Sequence, residues 1–312
     1  MDHYGDEDIS WLPGKPTEPL PGDCCGSGCT PCVFDIYEDE LRLWEEERKK
    51  GPPHLRKEDE SASDKDTKPV LSSAQYTSFT IDSITRVSSD TAIFRFKLPS
   101  NKSLGLSVGQ HIILKGQVGT ESITRQYTPI SPLNAKGYFD VLIKIYKDGK
   151  MSSYVKTWKV DDHIEVRGPF GQFTYRPNKY RRIVMLAAGT GVAPMLQVIR
   201  EIVLNEEEET FVHLVYCCRT YQEILMKSTL DDFTDYWNFT VLYVLSQEMN
   251  TKSHRYGEQV HYGRMDETLV VKETSPVKDD TMILICGTKS FDKDMIKYLT
   301  KSGYSSKNYF KF

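Results

Sequence analysis

Four short motifs in this chain combine residue types suited to holding phosphate groups and flat rings. The first is Arg125-Gln126-Tyr127-Thr128-Pro129-Ile130-Ser131. Residues two apart on a strand face the same side. Arg125 can therefore pair a phosphate with its guanidinium while Tyr127 lays a ring against a flat ligand. Thr128 faces the other way, yet its backbone and hydroxyl reach a ring edge at the strand end. The second motif, Gly149-Lys150-Met151-Ser152-Ser153, follows a turn at Asp148 and enters a short helix. Unpaired N–H groups at a helix start, with Lys150, suit an anion. The plainer reading is an ordinary helix with Ser152 as its N-cap. The third, Ala188-Gly189-Thr190-Gly191-Val192-Ala193-Pro194-Met195, joins a strand to a helix through a glycine-rich turn, with Pro194 in the first helical turn. That suits a dinucleotide phosphate, although the pattern is not GxGxxG. The fourth, Leu284-Ile285-Cys286-Gly287-Thr288, ends a later strand, where open α/β sheets gather their ligands. Each has a plain alternative: an edge strand with an exposed Arg, a tight turn, a buried structural thiol.

Two different rhythms surround these motifs. Phe79–Val87, Thr91–Leu98, Gln110–Lys115, Ile123–Thr128, Tyr138–Tyr146 and His163–Arg167 are short β-forming runs separated by turn residues. They predict an antiparallel six-stranded barrel or sandwich, interrupted by one helix from Ser152 to about Trp158. From Arg181 strands and helices alternate. Strands are expected at Ile183–Ala187, Phe211–Tyr216, Phe239–Leu245 and Met282–Cys286. Helices are expected from Gly191 onward, over Tyr221–Phe233, weakly over Met265–Val271, and over Phe291–Leu299. This is the pattern of a doubly wound parallel sheet. The expected organisation is a disordered tail (1–23), a Cys-rich segment (24–50), a linker (51–75), the barrel (76–178) and the parallel-sheet domain (179–312).

Bulk properties narrow the function classes. The 312 residues suffice for two ordinary domains. A net charge of -4 gives no global basic field for nucleic acid. No run is apolar and long enough for a transmembrane helix. Met1 to Asp8 carries acids and no Lys or Arg, unlike a secretory or transit peptide. Of seven Cys, Cys24, Cys25, Cys29 and Cys32 cluster, while Cys217, Cys218 and Cys286 lie in apolar runs. That distribution points to a reducing compartment rather than a disulfide framework. An intracellular, cytoplasmic monomer is expected, with organelle association left open.

In order and spacing, Arg125-x-Tyr127-Thr128-x-x-Ser131, then Gly149-Lys150-Met151-Ser152, then Gly189-Thr190-Gly191, then Cys286-Gly287 resemble the ferredoxin-reductase-like flavoproteins, and within them the NADH–cytochrome b5 reductases. Residues Lys136–Tyr146, Glu165–Pro169 and Pro194–Arg200 extend the resemblance, which covers about Tyr76 to Phe312. It implies an FAD-binding barrel and a nicotinamide dinucleotide domain. It implies that Arg125 binds the FAD pyrophosphate, Tyr127 packs on the flavin and Thr128 lies near flavin N5. Leu142, Lys144 and Tyr146 would border the FAD, while Gly149, Lys150, Met151 and Ser152 hold its pyrophosphate. Gly189, Thr190, Gly191 and Pro194 would meet the dinucleotide, and Cys286 with Gly287 would line the nicotinamide pocket. NADH would be the donor, with NADPH open, and cytochrome b5 or another one-electron carrier the acceptor. Lys150, Lys179, Arg181 and Arg182 are candidates for a basic docking patch. Three departures from the family pattern stand out: Ala188 and Ala193 replace a Gly and a Thr, Thr288-Lys289 replaces a Pro pair, and Ser246 replaces an Asp. A different acceptor, or a degenerate binding module, therefore stands as the rival reading.

Cys24-Cys25-Gly26-Ser27-Gly28-Cys29-Thr30-Pro31-Cys32, followed by Val33-Phe34-Asp35, resembles a small oxidoreductase-like N-terminal domain. Four thiols this close suit zinc, but the spacing is tighter than zinc fingers use. A docking or structural unit without metal is the favoured expectation. The acidic stretch Glu38 to Lys50 reads as a helix with a solvated face.

Overall fold

The computed structural model describes residues 14–19, 32–50, 69–119, 121–251 and 254–312. Six strands form the first sheet: β1 (Thr77–Arg86), β2 (Thr91–Lys97), β3 (His111–Val118), β4 (Glu121–Tyr127), β5 (Tyr138–Lys144) and β6 (His163–Phe170). Their order is β4-β3-β6-β1-β2-β5, with every neighbouring pair antiparallel. The two ends of the sheet approach each other where Pro129 bridges Val141 and the Ile130 N–H donates to Asp140 O at 2.9 Å. The sheet thus curls into a barrel, with its seam just beyond the Arg125–Thr128 motif. Its interior is aromatic: Phe96 stacks on Phe139 at 4.9 Å, and Phe79 and Trp158 pack edge-on against these rings and Phe94.

The second sheet is wholly parallel. Strands β7 (Arg182–Ala188), β8 (Phe211–Cys218), β9 (Phe239–Leu245), β10 (Gln259–Tyr262), β11 (Thr281–Cys286) and β12 (Tyr309–Lys311) lie in the order β10-β9-β8-β7-β11-β12. Helices α3 (Val192–Val203), α4 (Lys227–Phe233), α5 (Glu267–Thr274) and α6 (Lys289–Lys301) connect them. The period-two pleat of β7 sends Ile183, Met185 and Ala187 into one core and Val184 and Leu186 into the other. Burial on both faces is why this strand reads as a continuous apolar run. The chain starts at β7, winds outward through β8 to β10, then returns to β11 on the other side. The topological switch point therefore lies between β7 and β11.

Several expectations needed correction. The helix expected over Tyr221–Phe233 is interrupted: Met226 takes φ 56°, and α4 begins only at Lys227. Ile224 and Leu225 turn into the core there, so burial overrides the local helical pattern. Strands β10 and β12, four and three residues long, are too short to show a period in the sequence. Ser152 is not an N-cap; it lies inside the short helix α2 (Lys150–Val155), whose N-cap is Gly149. The acidic stretch is not merely solvated. One helix, α1, runs over Val33–Lys50 and buries Ile36 and Glu40. Cys24, Cys25 and Cys29 lie outside the described residues.

The two sheets share a core, because barrel residues Ile130 and Leu142 pack in the same cluster as α3. A single amide fixes their relation. Gln197 of α3 is buried; its Oε1 accepts from Gly109 N at 2.9 Å and its Nε2 donates to Pro129 O at 2.9 Å. Arg200, one turn on, donates to Ile130 O at 3.0 Å. Replacing Gln197 by Leu strands a buried donor and a buried acceptor. Gln197→Leu is expected to cost about 2–4 kcal/mol, read as a lowered denaturation midpoint of the full chain; an unchanged midpoint would show that the amide does not hold the halves together.

Candidate functional site

The barrel seam and the switch point face each other across one cleft of about 320 Å³. Arg125, Tyr127 and Thr128 line its barrel side, together with Leu142, Lys144, Tyr146 and Gly149–Ser152. Thr190, Gly191, Pro194, Cys286 and Gly287 line the opposite side, with Ala193 beside them. Of the expected site residues only Gly189 stands back from the cleft wall. Its carbonyl instead accepts from Tyr216 OH at 2.9 Å, which holds the turn from below.

Local chemistry explains each barrel-side position. Arg125 donates to the neighbouring Thr124 carbonyl at 2.7 Å, which fixes its guanidinium along the strand. Burial raises the Tyr127 pKa, so the ring stays a neutral phenol. Lys144 pairs with Asp90 at 3.1 Å, and Asp90 in turn reaches Arg219 of the parallel half at 3.5 Å. Burial opposes the Asp90 charge, but hydrogen bonds from Lys144, Thr91 and Ser88 outweigh it and lower its pKa. Ser152 uses its Oγ to accept from Tyr146 N at 3.0 Å, tying α2 back to the end of β5. A Cβ on Gly149 would stand 2.9 Å from that Oγ and would push the hydroxyl from its place in this cradle.

On the other side two loops touch. A Cβ on Gly191 would fall 2.1 Å from Cys286 O, so only glycine lets the β7 and β11 ends close together. Gly189 adopts φ +55°, the left-handed region that glycine tolerates. Thr288, which stands where the family pattern has Pro, caps α6 by accepting from Phe291 N at 3.3 Å. The departure therefore exchanges one way of starting the helix for another. Burial pushes the Cys286 thiol up to about 12, so it is a protonated wall of the cleft and not a nucleophile. Ser246, at the end of β9, donates to Cys218 O at 3.3 Å.

A second hollow of about 240 Å³ adjoins the first and shares Tyr127, Thr128, Pro194 and Cys286 with it. Its other walls include His111, Phe310, Lys311 and Phe312, none of which belongs to the four motifs. The alternating Tyr309-Phe310-Lys311-Phe312 is the one sequence signal for the last three, and β12 brings it there, while His111 starts β3. Burial drops the His111 pKa to about 4, and its Nε2 has no hydrogen-bond partner among the described residues. A continuous trough with a glycine-lined cradle, paired cations and an orphaned ring nitrogen fits a long, anionic, ring-bearing dinucleotide.

The expected basic patch does not form as one surface. Lys150 lines the cleft, but Arg181 and Arg182 lie at the opposite, amino end of β7. There Arg182 donates to the carbonyls of Glu273 and Ser275. Sheet direction separates residues that charge alone had grouped. Among the described residues no group of His, Cys, Asp and Glu is arranged to hold a metal.

Two consequences are measurable. Gly191→Ala should lower stability and weaken nicotinamide dinucleotide affinity by about tenfold or more, read by titration; unchanged binding would refute the need for close approach. Asp292, buried at the start of α6, has its pKa raised by burial from 3.8 to about 6. Its folded form keeps a proton that the unfolded chain has lost, so this group's stabilising contribution fades as pH rises through that window. Asp292→Asn should therefore raise the thermal midpoint at pH 7.5 and leave it unchanged near pH 3.5.

Comparison with known proteins agrees with this geometry. The Oxidoreductase FAD-binding domain family matches residues 78–175, and the Oxidoreductase NAD-binding domain family matches residues 185–297. The Oxidoreductase-like protein, N-terminal family matches residues 10–51. The mouse protein named NADH-cytochrome b5 reductase-like is 42% identical over 97% of this chain and 96% of its own length. Its human counterpart is also 42% identical, over 98% of this chain and 97% of its own. NADH-cytochrome b5 reductase 1 of Dictyostelium discoideum is 38% identical over 82% of this chain and 88% of its own. Among solved structures, the cytochrome b5 reductase domain of Ulva prolifera nitrate reductase superposes with a TM-score of 0.70 at 27% identity, over 78% of this chain and all of that domain. With both sheets, both cofactor-domain families and near full-length relatives in agreement, this chain belongs to the NADH-cytochrome b5 reductase family of FAD- and NAD-binding oxidoreductases.

Proposed function

We propose that this FAD-dependent NADH oxidoreductase passes its electrons singly to cytochrome b5. The relatives' names supply the acceptor, and the opposed cleft walls supply the chemistry. The observation that carries the reading is that Thr128 of the barrel and Cys286 of the parallel sheet line the same cleft. A site that must bring two flat cofactors face to face needs such a pair of walls.

In this reading residues 76–178 carry FAD and residues 179–312 carry the nicotinamide dinucleotide. Arg125 and Lys150 neutralise the FAD pyrophosphate, with Gly149, Met151 and Ser152 shaping its cradle. Tyr127 packs on the flavin, Thr128 borders its reactive edge, and Leu142, Lys144 and Tyr146 flank the rest. Gly189, Thr190, Gly191 and Pro194 receive the dinucleotide, and Cys286 with Gly287 lines the nicotinamide pocket. Bound FAD supplies the capacity to take electrons in pairs and release them one at a time. The chain supplies orientation, exclusion of water and charge neutralisation. Its uncharged Cys286 suits that task, because a thiolate would add a negative charge beside the rings.

Ser246 leaves NADPH open as a second donor, since a neutral residue at the end of β9 does not repel a 2′-phosphate. Anaerobic titration of the purified protein tests the whole reading. Flavin absorbance near ~450 nm should bleach on adding NADH, and subsequent addition of oxidised cytochrome b5 should restore it. A protein that binds no FAD, or that bleaches without then reducing cytochrome b5, would overturn the enzyme or the acceptor assignment respectively. Repeating the titration with NADPH ranks the two donors.

A further inference from the structure

We propose that the N-terminal oxidoreductase-like segment is a working part of the FAD site: it caps the pyrophosphate end of the cleft and slows release of the cofactor. The inference rests on the assignment of Arg125 and Lys150 to the pyrophosphate.

Strand β4, which carries Arg125, is an edge strand of the barrel sheet. An exposed edge is a row of unsatisfied backbone groups open to water and to other chains. Here the N-terminal segment covers it. Pro16 makes a parallel bridge with Ser122, and α1 lies against the same strand. Between segment and strand remains a crevice of only about 50 Å³. Val33 and Tyr37 of α1 form one side of it; Thr124, Arg125 and Lys150 form the other. The two cations that face the main cleft are therefore backed by the N-terminal segment.

The docking is specific. Ile36 and Glu40 of α1 are buried, 3% and 9% exposed, and Glu40 meets a residue at the start of the barrel. Tyr76 donates its hydroxyl to the Glu40 carboxylate. Arg167, buried in the barrel wall, and Lys115 lie over the Tyr76 ring at 5.2 and 5.0 Å. Burial raises the Glu40 pKa, while the Tyr76 hydrogen bond and these two cations pull it down. Glu40 borders the same crevice as Arg125, but its charge is balanced by Tyr76, Arg167 and Lys115. Glu18 also borders the crevice, but it is exposed and solvent screens it. What the segment adds behind Arg125 and Lys150 is therefore cover from water, with Pro19, Val33 and the Tyr37 ring as its apolar part. Displacing water there lowers the local dielectric and strengthens a cation–pyrophosphate pair. It also closes one route by which the pyrophosphate end could lift away.

The test compares FAD retention in the full-length wild type, Ile36→Asp, Tyr37→Ala and Arg125→Ala, following flavin fluorescence on dilution and on titration with FAD. Ile36→Asp undocks α1 by placing a charge in a buried position; Tyr37→Ala opens the crevice while leaving α1 anchored. Both are expected to raise the FAD dissociation constant, Ile36→Asp by about tenfold. With FAD saturating, turnover with NADH and ferricyanide should stay at the wild-type value, and so should KM for NADH, because the parallel half is untouched. A purely structural role would instead lower turnover or stability without shifting FAD affinity. If Ile36→Asp does not fold, Tyr37→Ala decides. Wild-type FAD affinity in the folded segment variants, with weakened binding in Arg125→Ala, overturns this proposal and leaves the site assignment standing. Wild-type affinity in Arg125→Ala overturns the site assignment and this proposal with it.

Discussion

The functional cleft depends on one buried side-chain amide. Gln197 belongs to α3 of the parallel half, yet its partners are backbone groups of the barrel, Gly109 N and Pro129 O. Pro129 lies at the barrel seam, and α3 follows directly from the Gly189–Gly191 turn. The amide therefore ties the two ligand-facing features to each other and not merely domain to domain. Its geometry is demanding because a buried amide must satisfy donor and acceptor at once. A hydrophobic contact would tolerate sliding of one half over the other; a two-ended hydrogen bond does not. Arg200 to Ile130 and Asp90 to Arg219 act in the same direction from either side.

Against that fixed relation, the small residues of the cleft make sense. Gly191 is required by the approach of the Cys286 carbonyl, while a side chain at Gly149 would crowd the Ser152 hydroxyl. The first is a constraint of contact between segments distant in sequence. It shows why a glycine-rich turn that lacks the usual dinucleotide fingerprint still serves: spacing within the turn matters less than what the turn must pass. The Thr288 cap makes the same point for a departure. A position that looks degenerate beside the family pattern has a defined role at the start of α6.

The N-terminal segment shows how charge in a sequence misleads when its partners are remote. Glu38 to Lys50 reads as a solvated helix, because its many charges can meet water and each other, as Arg42 meets Asp39. In the fold, Glu40 meets Tyr76, Arg167 and Lys115, which come from three other parts of the barrel chain. The basic residues near Arg181 mislead in the opposite sense. They look like one patch with Lys150 until strand direction places them at the far end of β7.

The sequence by itself determined the two sheet types and most element positions, since alternation and apolar runs are local signals that follow from pleat and burial. It also pointed to the cleft residues, because Arg125 with Tyr127, Gly149 to Ser152, and Cys286 with Gly287 are each short motifs whose chemistry is carried by neighbours in the chain. Only the tertiary structure decided what lies opposite what. It joined the barrel seam to the switch point through Gln197. It turned Ile224 and Leu225 inward at the expense of a helix, and brought Phe310 and Phe312 to the cleft through a strand too short to announce itself. Those outcomes depend on burial and pairing between segments far apart in the chain, and such contacts leave no period in the sequence.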